Sequence, residues 1–333
     1  MLELSGGEYR IQEKIGVGTI AEVYRVQSSA DKKLYVVKIL QRRWEQEDVY
    51  RKLFEKEIQV GKEVADSAAR KWTLPIVKDG IEQGLPYFIT PYMPYNLRQV
   101  LDQPSLLRRL LGSEKKPLEL WLDLLRQLAQ AIDAFHKAGY VHGDLKPSNI
   151  VLTENLEIKI IDFGTAQLSQ LDYRSLHRDI TRNLQEPAIA GSLAYMAPEQ
   201  FGKLKPTRAT DLYALGTIAW EMFYGQLPYR LYQDDTMFTY SRRKETEPPW
   251  KPHRSAVPKS ILRVLLRSLQ IDPRLRFKSA QEFMSALEWA LRNPDDVQVY
   301  DPPLVWSYIV VGWTCLGVTF FLIAQRLWFL LGW

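Results

Sequence analysis

The sequence predicts an α+β fold in two lobes, a β-rich small lobe followed by a mainly helical large lobe, with one transmembrane helix near the C-terminus. Three observations predict it. β-Branched and aromatic runs dominate roughly the first hundred residues, 3.6-residue periodicity takes over after about residue 117, and residues 304–325 carry no Asp, Glu, Lys or Arg. With 333 residues, 46% hydrophobic and 25% charged, the chain can bury a sizeable core, which excludes wholesale disorder.

In the small lobe, assigned to residues 1–93, residues 35–39 and 85–89 read as strands. Between them Val49, Leu53, Phe54, Glu57, Ile58 and Gly61 share one side of a predicted helix. In the large lobe, residues 94–292, a helix is predicted from Leu118, Trp121, Leu124, Leu125, Leu128, Ile132 and Phe135, spaced i, i+3, i+4, i+7. Residues 212–223 are apolar nearly all round, the pattern of a helix buried inside a lobe. A polar, proline-broken linker occupies 293–303. The segment 304–325 then reaches roughly 33 Å at about 1.5 Å per residue, enough to cross a bilayer core. Trp306, Tyr308, Trp328 and Trp333 lie near its ends, where amphipathic rings favour the interface. With the tail 326–333 beyond it, this segment reads as a C-terminal anchor.

Charge and cysteine narrow the partners. The net charge of +5 is mild; the basic clusters Arg242-Arg243-Lys244 and 251–254 read as a solvated face, with acidic substrates or anionic lipid heads the alternative, and no nucleic-acid partner is expected. Cys315 is the sole cysteine, which rules out an intrachain disulfide or a cysteine-based metal site. No apolar stretch follows the N-terminus, so no cleaved secretory signal is expected.

The chemistry-bearing residues fall in order along the chain. Gly16-Val17-Gly18, ahead of Val23, lets backbone approach a phosphate without Cβ interference; alone, it reads equally as a hairpin turn. Lys38 sits in an apolar strand, and Glu57 on the following helix is placed to fix its ammonium. The dense signal is His142-Gly143-Asp144-Leu145-Lys146-Pro147-Ser148-Asn149, then an apolar strand, a turn, and a second strand ending at Asp162-Phe163-Gly164. That hairpin brings Asn149 and Asp162 together as oxygen ligands for a hard cation such as Mg²⁺. Asp144 is placed to accept a hydroxyl proton, and Lys146 to neutralise a transferred phosphoryl group.

In these motifs the chain resembles the eukaryotic-type (Hanks-type) serine/threonine protein kinase family over roughly residues 9–290, and among its members the bacterial ones. The resemblance implies a bilobal protein kinase-like fold and transfer of the ATP γ-phosphate to serine or threonine of protein substrates. It assigns ATP to Ile15, Gly16, Val17, Gly18, Val23, Lys38, Glu57, Thr90, Tyr92 and Met93, with Thr90 as gatekeeper and the next residues as the adenine-reading hinge. Asp144 matches the catalytic base, with Lys146 beside it, and Asn149 and Asp162 match the ligands of Mg²⁺, for which Mn²⁺ is a substitute. Glu199, in Ala197-Pro198-Glu199, closes the activation segment; Asp211 matches the buried aspartate of the large lobe, and Arg276 the arginine that pairs with Glu199. Lys146, and Ser192 in Gly191-Ser192-Leu193-Ala194-Tyr195, favour the serine/threonine type over the tyrosine type. An ATP-using domain is expected on the cytoplasmic side of a plasma or inner membrane, held there by a single pass.

Three departures from the family pattern stand out. Ala21 replaces the third loop glycine, and Gly143 stands where many members carry an arginine that grips a phosphorylated activation loop. The segment 162–199 is long, with Ser169, Ser175 and Thr181 as candidate phosphosites. The third departure is the His-Gly-Asp form itself, which is also that of aminoglycoside-phosphotransferase-type small-molecule kinases, a competing reading. Ala197-Pro198-Glu199, Asp211 and Arg276 oppose it. A pseudokinase scaffold is the other alternative, and the presence of Lys38, Asp144, Asn149 and Asp162 opposes that.

Overall fold

The structure, a computed structural model, describes residues 3–294 apart from 5–6, 112–116, 165–191, 203, 233–234 and 251–256. The candidate span 304–325 and the candidate phosphosites Ser169, Ser175 and Thr181 lie outside the described residues. Among the described residues, no helix is long and apolar enough to cross a membrane.

The N-terminal part is a six-stranded sheet in the order β1-β2-β3-β4-β6-β5. Its strands are β1 (Glu3–Leu4), β2 (Tyr9–Val17), β3 (Ala21–Ser28), β4 (Leu34–Leu40), β5 (Lys78–Glu82) and β6 (Leu85–Pro91). All neighbours pair antiparallel. Helix α1 (Asp48–Ala65) covers one face, its Tyr50, Leu53, Phe54 and Ile58 packing with Ala21, Leu40 and Phe88. The predicted helical face was one residue out at its start: Val49 is exposed, and Tyr50, stacked on Trp44, is the buried residue.

The large lobe is built on helices. α2 (Leu97–Asp102) and α3 (Pro104–Leu111) lead into α4 (Pro117–Lys137), which buries the predicted stripe from Trp121 to Phe135. Leu118 is exposed, since the first helical turn lies ahead of the core. A small second sheet, β7 (Tyr95–Asn96), β8 (Ile150–Leu152) and β9 (Ile158–Ile160), runs in that order beneath the cleft. Beyond it come α5 (Pro198–Phe201), α6 (Arg208–Tyr224), α7 (Met237–Thr246), α8 (Lys259–Ser268) and α9 (Ala280–Arg292). Asp133 on α4 accepts the backbone N–H groups of Ala280 and Gln281 at 2.9 Å each, satisfying donors that open α9.

Helix α6 is the lobe's central post, as its all-round apolar sequence predicts: every residue from Thr210 to Met222 is buried. It ends where Gly225 takes a left-handed φ of 67°, a conformation only glycine adopts cheaply. The two lobes are joined by more than the chain crossing at 91–95. Thr73 Oγ1 donates to Ile160 O at 3.2 Å, and Val60 and Val64 of α1 belong to the large-lobe core.

Gly216 is where α6 meets α8 most closely: a Cβ there would sit 2.0 Å from Ser268 Oγ and 2.5 Å from Ser268 Cβ. Gly216→Ala is therefore expected to overpack the core and cost about 1–3 kcal/mol of stability, read as a fall in thermal midpoint. An unchanged midpoint would show that the two helices can slide apart freely.

Candidate active site

The loop between β2 and β3 forms the roof of the cleft. A Cβ on Gly16 would lie 3.8 Å from Val23 Cβ, and one on Gly18 would lie 3.6 Å from Ala21 O, both ordinary contacts. Neither glycine is demanded by internal packing, and both line the cleft, where the missing side chain leaves room for a ligand. The tip is tethered from outside: Gln41 Nε2 donates to Gly18 O at 2.6 Å, and Trp44 Nε1 to Thr19 O at 3.0 Å. Sequence reasoning missed Gln41; its one signal was a polar amide closing an apolar strand, and it is buried. Ala21 is buried against α1, where a small side chain fits.

Lys38 on β4 lies between two carboxylates. Its Nζ is 2.6 Å from Glu57 Oε1 on α1 and 3.0 Å from Asp162 Oδ1 after β9. One ammonium cannot fully neutralise two acids in a buried site, and the two respond differently. Asp162 is held well below the usual carboxylate range, despite its burial, by Lys38 and by Lys146. Glu57 is pushed up to about 7, mainly by burial, with Asp162 adding to the effect and Lys38 opposing it. Its second oxygen, Oε2, is buried without a hydrogen-bond partner. Lys38 is held above the ordinary lysine value, because the attraction of Asp162 and Glu57 outweighs its burial. Asp162 itself sits at a left-handed φ of 71°, which for an aspartate is a strained turn and sets the direction of its carboxylate.

The loop before β8 is organised by one buried acid. Asp211, in the first turn of α6, accepts the N–H of His142 at 3.0 Å and of Gly143 at 2.8 Å, and pairs with His136 Nε2 at 2.8 Å. His142 Nε2 donates to Ile161 O at 3.0 Å, so its Nδ1 is free to accept the Asp144 N–H at 3.2 Å. Gly143 has φ of 80°, a conformation that an L side chain adopts only under strain. Asp144 Oδ2 meets Lys146 Nζ at 2.7 Å, and the same Nζ lies 2.7 Å from Ser192 Oγ. Asn149 turns its amide nitrogen to the carbonyl of Asp144 at 2.9 Å. Phe163 is buried between His142 and Phe135, with ring centroids 5.3 Å and 5.5 Å away.

These groups share one cavity of about 890 Å³ between the lobes. Every assigned ATP and metal residue lines it: Ile15, Gly16, Val17, Gly18, Val23, Lys38, Glu57, Thr90, Tyr92, Met93, Asn149 and Asp162, together with Asp144 and Lys146. Val23 and Val36 above and Val151 below make an apolar slot beside the 90–93 crossing, suited to a flat aromatic base. Deeper in, the donor set suits a hard divalent cation. Asp162 offers a charged carboxylate, and Asn149, its nitrogen committed to Asp144, keeps its amide oxygen. Among the described residues no cluster of three or more His, Cys, Asp or Glu side chains is arranged to hold a metal.

The remaining assigned residues stand outside the cavity and brace it. Arg276, fully buried, makes a bidentate pair with Glu199 at 2.8 Å and 2.7 Å and donates to Ala209 O and Gln270 O. Gln200 Nε2 donates to Gly143 O at 2.9 Å, joining α5 to the loop that carries Asp144.

The raised Glu57 gives a pH signature. Between pH 4.5 and about 7 Glu57 keeps its proton in the fold but loses it when unfolded, so the folded state binds more protons and this group's contribution to stability falls as pH rises through that window. Thermal midpoints of the nucleotide-free protein across pH 5–8 should show this downward slope, and Glu57→Gln should remove it. Identical profiles for the two proteins would mean that Glu57 is already ionised throughout.

The model of the protein kinase domain family matches residues 9–287. Among similar proteins, a probable serine/threonine-protein kinase of Clostridium perfringens is 24% identical over 88% of this chain and 40% of its own length. Serine/threonine-protein kinase PknH of Mycobacterium tuberculosis is 26% identical over 89% of this chain and 44% of its own length. Serine/threonine-protein kinase PknD of Chlamydia caviae is 27% identical, over 86% and 31%. The chain thus spans less than half the length of these relatives. With the cavity, the Lys38–Glu57 pair and the Asp144 loop all within the matched residues, the chain belongs to the protein kinase domain family.

Proposed function

We propose that the chain is a serine/threonine protein kinase that transfers the γ-phosphate of ATP to seryl and threonyl hydroxyls of proteins. The observation that carries this is the meeting of two charge clusters in one cavity: Lys38 with Glu57 and Asp162, and Asp144 with Lys146, beside the amide of Asn149. The relatives' names and the contact of Lys146 with Ser192 support the serine/threonine type.

In this reading Glu57 fixes Lys38, whose ammonium orients the α- and β-phosphates. Asp162 and Asn149 would hold Mg²⁺, or Mn²⁺ in its place, which would supply charge compensation to the phosphates. Asp144 orients the acceptor hydroxyl and takes its proton as the hydroxyl oxygen bonds to the γ-phosphorus and the bond to the ADP oxygen breaks. Lys146 shares its charge between Asp144 and the phosphoryl group in transit. Most of the rate enhancement is alignment and charge placement, as phosphoryl transfer requires.

Incubation with labelled ATP and Mg²⁺ tests the class. Label on the chain or on a basic acceptor protein supports the reading, label on small metabolites alone favours the small-molecule kinase, and none favours a non-catalytic scaffold. Asp144→Ala is expected to lower turnover about 10²-fold or more while keeping nucleotide binding, whereas Asp162→Ala also weakens binding of Mg·ATP. Near-wild-type phosphorylation by the Asp144→Ala protein would refute the assigned base.

The same proposal extends to location: residues 304–325 hold the kinase domain on the cytoplasmic face of a plasma or inner membrane. The uncharged length and flanking tryptophans support it, and ATP is available on that side. The full chain should stay in the membrane pellet after an alkaline carbonate wash, and a chain ending at residue 295 should not. Release of the full chain by carbonate would exclude the anchor.

A further inference from the structure

Beneath the segment that follows Gly191 lies a lysine that the reaction described above does not use. Lys244, on α7, is 1% exposed. Its Nζ donates to three backbone carbonyls, those of Leu193 at 3.2 Å, Ala194 at 3.0 Å and Met196 at 2.7 Å. The ammonium also lies over three rings, Phe201 at 5.6 Å, Tyr213 at 5.3 Å and Tyr240 at 5.0 Å from the centroids. Among the described residues it makes no ion pair; the nearby Glu199 is committed to Arg276.

Burying an ammonium without a counter-ion is costly, and here burial pulls the lysine's pKa well below its ordinary value, with Glu199 opposing and Arg276 assisting. An aliphatic side chain of the same length would fill the space without that cost. What it would not supply is three N–H donors. Carbonyl dipoles and ring faces offset part of the burial of the charge, and a protonated amine matches three acceptors where a neutral one leaves a carbonyl unpaired.

We propose that Lys244 is the positioning residue of the acceptor-docking segment, fixing the peptide planes of residues 193–196 so that a protein substrate meets a preformed surface. This rests on the protein-kinase reading above, because it names how the acceptor rather than the nucleotide is held. The geometry sets the direction of the effect. The segment Lys244 braces directly follows Ser192, whose hydroxyl touches Lys146 beside Asp144, and Ser192 and Met196 both line the cavity. The cluster that meets the nucleotide, Lys38 with Glu57 and Asp162, makes none of these contacts. Loosening 193–196 therefore acts on acceptor binding first.

Steady-state kinetics on the full chain in detergent, with myelin basic protein as acceptor, test this. Lys244→Met, which keeps length and removes the donors, is expected to raise the acceptor KM about tenfold or more, with the KM for ATP and turnover at saturating acceptor within roughly threefold of wild type. Lys244→Gln, with two N–H donors, is expected to fall between and decides the matter if the methionine variant does not fold. An unchanged acceptor KM in a folded variant overturns the proposal. So does parallel loss of nucleotide and acceptor binding in both variants, the result a purely structural lysine would give. Failure of the wild type to phosphorylate any protein acceptor would instead sink the functional reading, so the two failures are told apart.

Discussion

The interaction on which the site depends is the carboxylate of Asp211. It sits in the first turn of α6, the most buried helix of the large lobe, where the helix dipole favours a negative charge. From there it takes two consecutive backbone N–H groups, those of His142 and Gly143, and the ring of His136. A loop has few ways to fix its own backbone, because its N–H and C=O groups lack a regular partner. Here the partner is a side chain delivered by a rigid post, so the position of Asp144 is inherited from the core packing of α6.

The second constraint crosses the lobes. Lys38 belongs to the upper sheet, Glu57 to α1 and Asp162 to the strand end below, and one ammonium within 3.0 Å of both acids joins all three. The arrangement is electrostatically lopsided: two carboxylates and one lysine leave Glu57 protonating near neutrality while Asp162 stays ionised. A ligand cation at Asp162 would restore the balance. Protonation of Glu57 relieves the excess, and the charge that remains on Asp162 lines the cavity where a cation would meet it.

Much of this was legible because the family's motifs are short and local. His142 to Asn149 and Asp162 to Gly164 each occupy one turn or hairpin, so spacing alone predicts their meeting. The helices were legible through periodicity, with errors only where periodicity is silent: it does not say which residue of a first turn reaches the core, and so Val49 and Leu118 were placed inside while Tyr50 was passed over. Gln41, Lys244 and the Asp133 contact with α9 were illegible for a different reason. Each is a side chain bonded to backbone far away in sequence, and a backbone carbonyl or N–H leaves no mark in the residue string. Lys244 in particular stood in a basic triplet that reads as a solvated face. Its neighbour Arg242 is exposed, whereas Lys244 is sealed inside, because a helix turns by about 100° per residue and the triplet spans more than half its circumference.

Gly143 ties these threads together. With φ of 80° it occupies a backbone state that a larger side chain would enter only under strain, and the loop is held there by Asp211 on its N–H and Gln200 on its carbonyl. The link from the loop of Asp144 to the segment 192–201 is therefore made by Gln200 and by the Lys146–Ser192 contact, while Lys244 braces the segment alone. None of these contacts is a salt bridge between the two segments. Where an arginine at 143 would join the loop to a phosphate by charge, this chain joins it through the Gln200 amide on a carbonyl and the Lys146 ammonium on a hydroxyl. Such contacts are short-ranged and little screened by salt, and they tie the described residues 192–201 to the fold itself.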